Sequence, residues 1–201
     1  MANVLIDENT MTEIADAIRS KTGESESMLP AEMPGKISEM QGDNNTLAKL
    51  IDRSITEIEF PEGVTTIGDY AFTGCSNLAL TSLPETVTAI QSYAFMSCSS
   101  LALTVLPKGL TIIGTQGFNN CTSLAITTLP ERLATLSAYA FNSCSGLKEI
   151  TFKGTPTTIA ATAFNNCKKI TDIYVPWAEG AVADAPWGAI NATIHYEYTE
   201  D

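Results

Sequence analysis

The sequence predicts a solenoid preceded by a small helical module, and three observations lead to this fold. A phenylalanine and a cysteine each recur at five positions, 23 residues apart, without a slip. Other apolar residues keep the same period, so each repeat forms one coil that buries its apolar face against its neighbours. The first 42 residues lack this period and show helical spacing instead. The residues expected to form the repeat core are Phe72, Phe95, Phe118, Phe141, Phe164, Cys75, Cys98, Cys121, Cys144 and Cys167.

Residues 1–42 are predicted to form a helical leader. Thr10 and Glu13 have the spacing of a capping box, an apolar stripe follows, and Gly23 is a plausible helix end. A second short helix is expected near Pro30. Helices of this size bury too little surface to be stable alone. We therefore expect the leader to pack on the solenoid, to pair with another copy of the chain, or to attach to another partner.

Residues 43–51 are predicted to be a linker, because residues 42–46 are rich in Gly, Asp and Asn. The solenoid is predicted over residues 52–176, with about five coils of 23 residues. Adjacent coils are expected about 4.8 Å apart, so that each column of equivalent residues becomes a ladder along the core. The column of branched apolar residues that precedes each predicted strand is Ile55, Leu78, Leu101, Leu124, Leu147 and Ile170.

The repeat resembles the BspA-like class of leucine-rich repeats. The resemblance is carried by the pattern A-F-x-x-C-x-x-L, as in residues 67–78 (IGDYAFTGCSNL), with Gly117 and Ile170 as departures in two coils. It implies an α+β solenoid, a right-handed leucine-rich repeat coil with short parallel strands on one face. On the other face it implies turns with brief helical segments. It also implies a protein that binds other proteins or a cell surface.

Residues 177–201 are predicted to cap the last coil. Trp177 and Trp187 would cover its open end, and the alternating stretch 193–198 would add a terminal strand to the sheet. A ligand-binding pair of tryptophans is the alternative. In the terminal strand, His195 is expected on the face opposite to Ile194.

The cysteines are expected to be buried free thiols that pack as small hydrophobic groups. All five lie in one phase of the repeat, so they form a straight ladder and cannot surround a metal ion tetrahedrally. Their odd number also argues against a disulfide framework. We therefore expect neither a metal site nor a cofactor.

Catalysis has little support in the sequence. His195 is the only histidine, and neither a metalloprotease motif nor a phosphate-binding glycine loop is present. We expect that the protein is not an enzyme and that His195 is a surface residue of the capping strand. A pocket joining His195 to a cysteine and a carboxylate would be needed to change this interpretation.

Charge and hydropathy narrow the choice of partners. The net charge is −12, with nine acids and three bases in residues 1–46. Nucleic acid is a poor partner for such a chain, because phosphate contacts need clustered Lys and Arg. No apolar run approaches the ~20 residues of a membrane helix. The first eight residues also lack the basic start of a secretory signal peptide.

A break in the repeat marks a candidate site. The outer coils, at residues 147–152 and 170–175, have Ile150 and Ile173 three places after the leucine column. The middle coils, at 78–83, 101–106 and 124–129, have threonine there and an apolar residue one place earlier. We favour a local shift of register that buries these apolar residues, because burial is energetically cheaper. The alternative is an exposed partner-binding face of Leu80, Ser82, Leu103, Val105, Ile126 and Thr128.

Two functions remain open. Residues 14–23 and 29–37 resemble a leader of tail and minor structural proteins from phages and prophages of Gram-positive bacteria, and residues 175–180 and 185–189 resemble endings of such proteins. This resemblance implies a tail-associated binding or structural protein that is either virion-associated or cytoplasmic until host lysis. The alternative is a BspA-like adhesin on the bacterial surface that binds host matrix or other cells. In both, we expect a protein or cell-surface partner, with homo-oligomerisation through the leader helices as an option.

Overall fold

The computed structural model describes residues 53–60 and 62–199, which form a β-solenoid of about six turns. The solenoid with parallel strands is thereby confirmed. No helix occurs within the described ranges, so this part of the chain is a β-solenoid rather than the expected α+β fold. The predicted leader at 1–42 and the linker at 43–51 lie outside the described residues.

The strands form two parallel sheets, whereas strands were expected on one face only. The first sheet has the order β1-β2-β3-β5-β7 and the second the order β4-β6-β8-β9. Equivalent residues of successive coils pair at an offset of 23, as Thr66 does with Ala89. The first sheet starts at Thr66–Ile67, whereas the second starts only at Thr128–Leu129, so strands pair on both sides in the later coils. The strands are β1 (Thr66–Ile67), β2 (Ala89–Ile90), β3 (Ile112–Ile113), β4 (Thr128–Leu129), β5 (Thr135–Leu136), β6 (Glu149–Phe152), β7 (Thr158–Ile159), β8 (Asp172–Tyr174) and β9 (Thr193–His195).

The A-F-x-x-C segments form turns, not the brief helices that the family resemblance implies. Their amides alternate between two kinds of acceptor. The Thr73 amide donates within the turn to the Tyr70 carbonyl (3.1 Å), whereas the Phe72 and Gly74 amides donate to the next coil (2.7 Å each). The positive φ angles of Tyr70 (60°) and Gly74 (74°) also interrupt helical geometry. Inter-coil hydrogen bonding therefore replaces a helix in these segments.

The phenylalanine and cysteine columns lie in the core of the solenoid. All five phenylalanines of the repeat are fully buried, and adjacent rings stack with centroids 5.2–5.4 Å apart. All five cysteines are buried and free. Each ring and each thiol therefore packs against its equivalent in the neighbouring coil, as a stacked repeat requires.

The cysteine thiols also form hydrogen bonds between adjacent coils. The Cys98 thiol donates to the Phe72 carbonyl of the preceding coil (2.9 Å), and Cys121 does the same to Phe95 (3.0 Å). Burial raises the pKa of the Cys121 thiol to about 12, so it stays protonated and keeps its hydrogen to donate. The cysteine column therefore ties adjacent coils together through weak hydrogen bonds as well as through packing.

The C-terminal segment covers the last coil. Trp187 is fully buried and Trp177 is nearly so, and both rings contact Phe152 with centroids 5.6 and 5.3 Å away. Trp187 stands 23 residues after Phe164 and accepts the Phe164 amide with its carbonyl (2.8 Å). Trp187 therefore occupies the phenylalanine position of one further, modified coil within the cap. β9 then extends the second sheet with Ile194 packed against the core and His195 half-buried.

Candidate partner-binding grooves

The middle coils shift register, and the shift buries most of the predicted apolar stripe. The Ala102 amide donates to the Leu80 carbonyl and Ala125 to Leu103, each across 22 residues. In an outer coil, the equivalent bond from Thr171 to Lys148 crosses 23 residues. Leu103 and Ile126 are consequently 0% and 1% exposed, and Leu80 is partly buried against the core.

Leu103 and Ile126 are therefore core residues, as the favoured shift of register predicts, and the alternative of an exposed partner-binding face is wrong for these two. The shift leaves two residues between consecutive core positions in each middle coil, one more than in an outer coil. Those two residues point outward. Val105 is 53% exposed, Ser82 is exposed and Thr128 is half-buried.

Val105 and Thr128 line a groove that we call the corner groove. It has a volume of about 780 Å³ and crosses four successive coils at the step that is Leu-Pro in three coils and Phe152-Lys153 in the fourth. Proline ends the strand there because it has no amide to donate. The residues that line the corner groove are Glu85, Val105, Leu106, Lys108, Thr128, Pro130, Glu131, Arg132 and Lys153.

Basic residues concentrate at the corner groove. Three of the seven Lys and Arg residues in the described part of the chain line it, namely Lys108, Arg132 and Lys153. Two acids accompany them, Glu85 and Glu131, and Glu85 accepts the backbone amide of Lys108 (3.2 Å). The repeat brings these charges together, because Glu85, Lys108 and Glu131 occupy one phase of successive coils. Val105 and Thr128 were predicted from the sequence as part of the candidate face, whereas these charged residues were not. The common phase of Glu85, Lys108 and Glu131 is the sequence signal that could have found them.

Leu80 and Ser82 line a second groove closer to the start of the solenoid. This groove has a volume of about 550 Å³, and among the described residues that line it Glu59 is the one ionisable residue. Its walls are residues 58–60 and 79–84. It offers apolar contact without the cationic rim of the corner groove.

His195 lies in a polar cluster on the second sheet, away from the cysteines. Its Nε2 is 2.7 Å from Oδ1 of Asp172, and its ring stacks on Tyr174 at a centroid distance of 4.5 Å. The hydrogen bonds from His195 and Thr171 hold the pKa of the Asp172 carboxyl below its ordinary value. The cysteine column is buried in the core, so this cluster has no thiol nucleophile. Nor does the described part of the chain hold a group of three or more residues suited to a metal ion.

A stacked, parallel-stranded coil with open grooves is the architecture of a repeat protein suited to protein binding or surface recognition. The chain belongs to the BspA-type leucine-rich repeat family, since that repeat region matches residues 50–176 in six copies. Leucine-rich repeat proteins are in general non-catalytic binding proteins. In the described ranges, no helix has the length and apolar character needed to cross a membrane.

Two solved structures are similar to this chain. A leucine-rich repeat protein from Bacteroides ovatus is 27% identical with a TM-score of 0.58, and the match covers 73% of this chain and 38% of that one. The leucine-rich repeat protein of T. pallidum is 30% identical with a TM-score of 0.53, over 61% of this chain and 59% of that one. The chain thus spans less than two thirds of the length of either protein. A search of curated proteins found no significant match.

Proposed function

We propose that this protein is a non-catalytic recognition protein that binds a protein partner in the corner groove. The observation that carries the proposal is the coincidence, in one groove, of an exposed Val105 with three of the seven described bases. Protein interfaces combine an apolar centre with a polar rim in this way. The groove crosses four coils, so the partner contacts the repeat array rather than one loop.

We further propose that the protein is encoded by a phage or prophage and is associated with the tail. The leader at residues 14–37 supports this assignment by its resemblance to tail and minor structural proteins. In this proposal the leader attaches the protein to the particle or pairs two copies, while the solenoid presents the corner groove to the host.

The second candidate is a bacterial surface adhesin. It is favoured by the frequent surface association of BspA-like proteins, and the two similar solved structures are repeat proteins of bacteria. In this case the partner is host matrix or another cell. The corner groove would then bind its partner from the bacterial surface rather than from a phage tail.

The recognition proposal is tested by binding of labelled full-length protein to candidate host cells. Val105→Asp and Arg132→Glu/Lys153→Glu should reduce binding at least tenfold, because they change the floor and the rim of the groove. Lys168→Glu/Lys169→Glu is the matched control, since it changes the net charge by the same amount elsewhere. Equal binding by all four proteins would refute the groove as the recognition surface.

The location is tested separately. Mass spectrometry of purified phage particles from the source strain should detect the protein, and tail genes should flank its gene. Detection on intact, uninfected cells with no tail genes nearby would instead favour the adhesin.

A further inference from the structure

We infer that the corner groove binds an extended peptide of mixed charge, whose apolar side chain rests on Val105 and whose carboxylates face Arg132 and Lys153. This inference rests on the proposed function and names the class of partner.

The floor of the groove is apolar and open. Val105 is 53% exposed, in contrast with Leu106 beside it, which is 7% exposed. Pro130 from the next coil is half-buried and lines the same floor. Val105 and Pro130 belong to adjacent coils and line the same groove, so both can contact apolar groups of a ligand. Such a floor suits one or two aliphatic side chains of a ligand.

The size of the groove limits what it can hold. Its volume of about 780 Å³ falls in the range of roughly 300–1,000 Å³ that is usual for sites binding small ligands. A short stretch of chain fits this volume, but a folded domain does not enter it. Because the groove follows the stacking direction across four coils, an extended segment matches its shape better than a compact one.

The charges of the rim are mixed and ordered. From the first coil to the fourth, the groove presents Glu85, then Lys108, then Glu131 beside Arg132, and finally Lys153. Bases therefore predominate at the end that Arg132 and Lys153 form. A complementary ligand has its carboxylates at that end and tolerates a base near Glu85.

Glu85 and Glu131 favour a peptide over a polyanion as the ligand. A sulfated polysaccharide or a nucleic acid carries negative charge on every unit, so it would meet Glu85 and Glu131 unfavourably. A peptide can alternate apolar, acidic and basic side chains at the spacing of the rim. The apolar floor adds contact that a polyanion backbone cannot use. The observations therefore favour a peptide segment.

The test is a selection from a displayed library of random ten-residue peptides against the full-length protein. The selected peptides are then made with a fluorescent label, and their affinity is measured by fluorescence anisotropy. We expect a consensus with an aliphatic residue flanked by Asp or Glu. Arg132→Glu/Lys153→Glu and Val105→Asp should each weaken binding at least tenfold. Lys168→Glu/Lys169→Glu should change it less than about twofold.

Three outcomes would overturn the inference. The first is a consensus without acidic residues or no consensus at all, and the second is unchanged affinity of Arg132→Glu/Lys153→Glu. The third is binding of heparin, used as a polyanion probe, that the same variant abolishes while no peptide competes. Circular dichroism must show that each variant is folded, which is expected because the changed side chains are exposed.

The inference and the proposed function fail in different ways. If groove variants lose cell binding but no peptide is selected, the groove recognises another ligand and only the inference falls. If selected peptides bind the groove but wild-type protein binds no cells and occurs in no particles, the inference stands and the proposed function falls.

Discussion

The middle and outer coils share their phenylalanine and cysteine columns but differ in the strand that follows the leucine column. In the outer coil at residues 147–152, Glu149 is exposed and Ile150 is buried. In the middle coil at residues 101–106, Leu103 is buried, and both Thr104 and Val105 are exposed. In the middle coils an apolar residue one place earlier in the strand therefore coincides with a different pairing of backbone groups. The irregularity in the middle coils also supplies the exposed Val105 of the corner groove.

The largest expected effect comes from placing a charge at Leu103, the buried apolar residue of the middle coil. Leu103→Asp should destabilise the protein by about 3–5 kcal/mol, because an unpaired carboxylate would enter the core. Val105→Asp, two residues away, should change the free energy of unfolding by less than about 0.5 kcal/mol. Urea denaturation of both variants measures the difference. A similar small cost for Leu103→Asp would mean that Leu103 is exposed in solution.

The second prediction converts a middle coil to the outer pattern. Leu103→Glu alone should be strongly destabilising, but Leu103→Glu/Thr104→Ile reproduces the Glu-Ile order of residues 149–150. The added isoleucine should restore an apolar core residue after a one-residue change of register. We expect a favourable coupling of about 2 kcal/mol between the two substitutions, measured in a double-mutant cycle by urea denaturation. Additive costs would show that the neighbouring coils, not the local sequence, determine the register.

A third prediction concerns a column that does not differ between the coils. Cys121→Ala and Cys144→Ala should each cost about 1–2 kcal/mol, because each loses a buried sulfur and a hydrogen bond to a carbonyl. The two costs should agree within about 0.5 kcal/mol, since both side chains are fully buried. A markedly larger cost in one coil, by thermal or urea unfolding, would show that the difference between coils extends into the cysteine column.

The smallest expected effect on stability comes from Asp172, which lies in an outer coil. The folded-state pKa of Asp172 is lowered by hydrogen bonds from His195 and Thr171, so the carboxylate stabilises the fold above its unfolded pKa of about 3.9. That stability is lost as the pH falls through the lowered folded value. Asp172→Asn should therefore be slightly less stable than the wild type at neutral pH, and the difference should shrink below about pH 4. Thermal unfolding at a series of acid pH values measures the difference in stability between the variant and the wild type. A difference that stays constant across the acid range would contradict this role.

Much of the core could be predicted from the sequence, because a strict period places equivalent residues in one column. Phe118 and Cys121, for example, are buried for the same reason as their equivalents in every other coil. The candidate site was harder to predict. Val105 and Leu103 are both apolar and belong to the same stretch, and only the register of the backbone separates exposed from buried. The corner groove also depends on side chains from four coils, which no single repeat contains.

The sequence by itself determined the period, the stacked columns and the family of this protein, because these properties repeat locally and each coil contacts only its neighbours. The tertiary structure decided the number of sheets and the turns in place of helices, and it decided between the favoured burial of Leu103 and Ile126 and the alternative of an exposed stripe. These features depend on which amide of one coil meets which carbonyl of the next. That choice depends on the stacked backbones of neighbouring coils as well as on the residues of each coil.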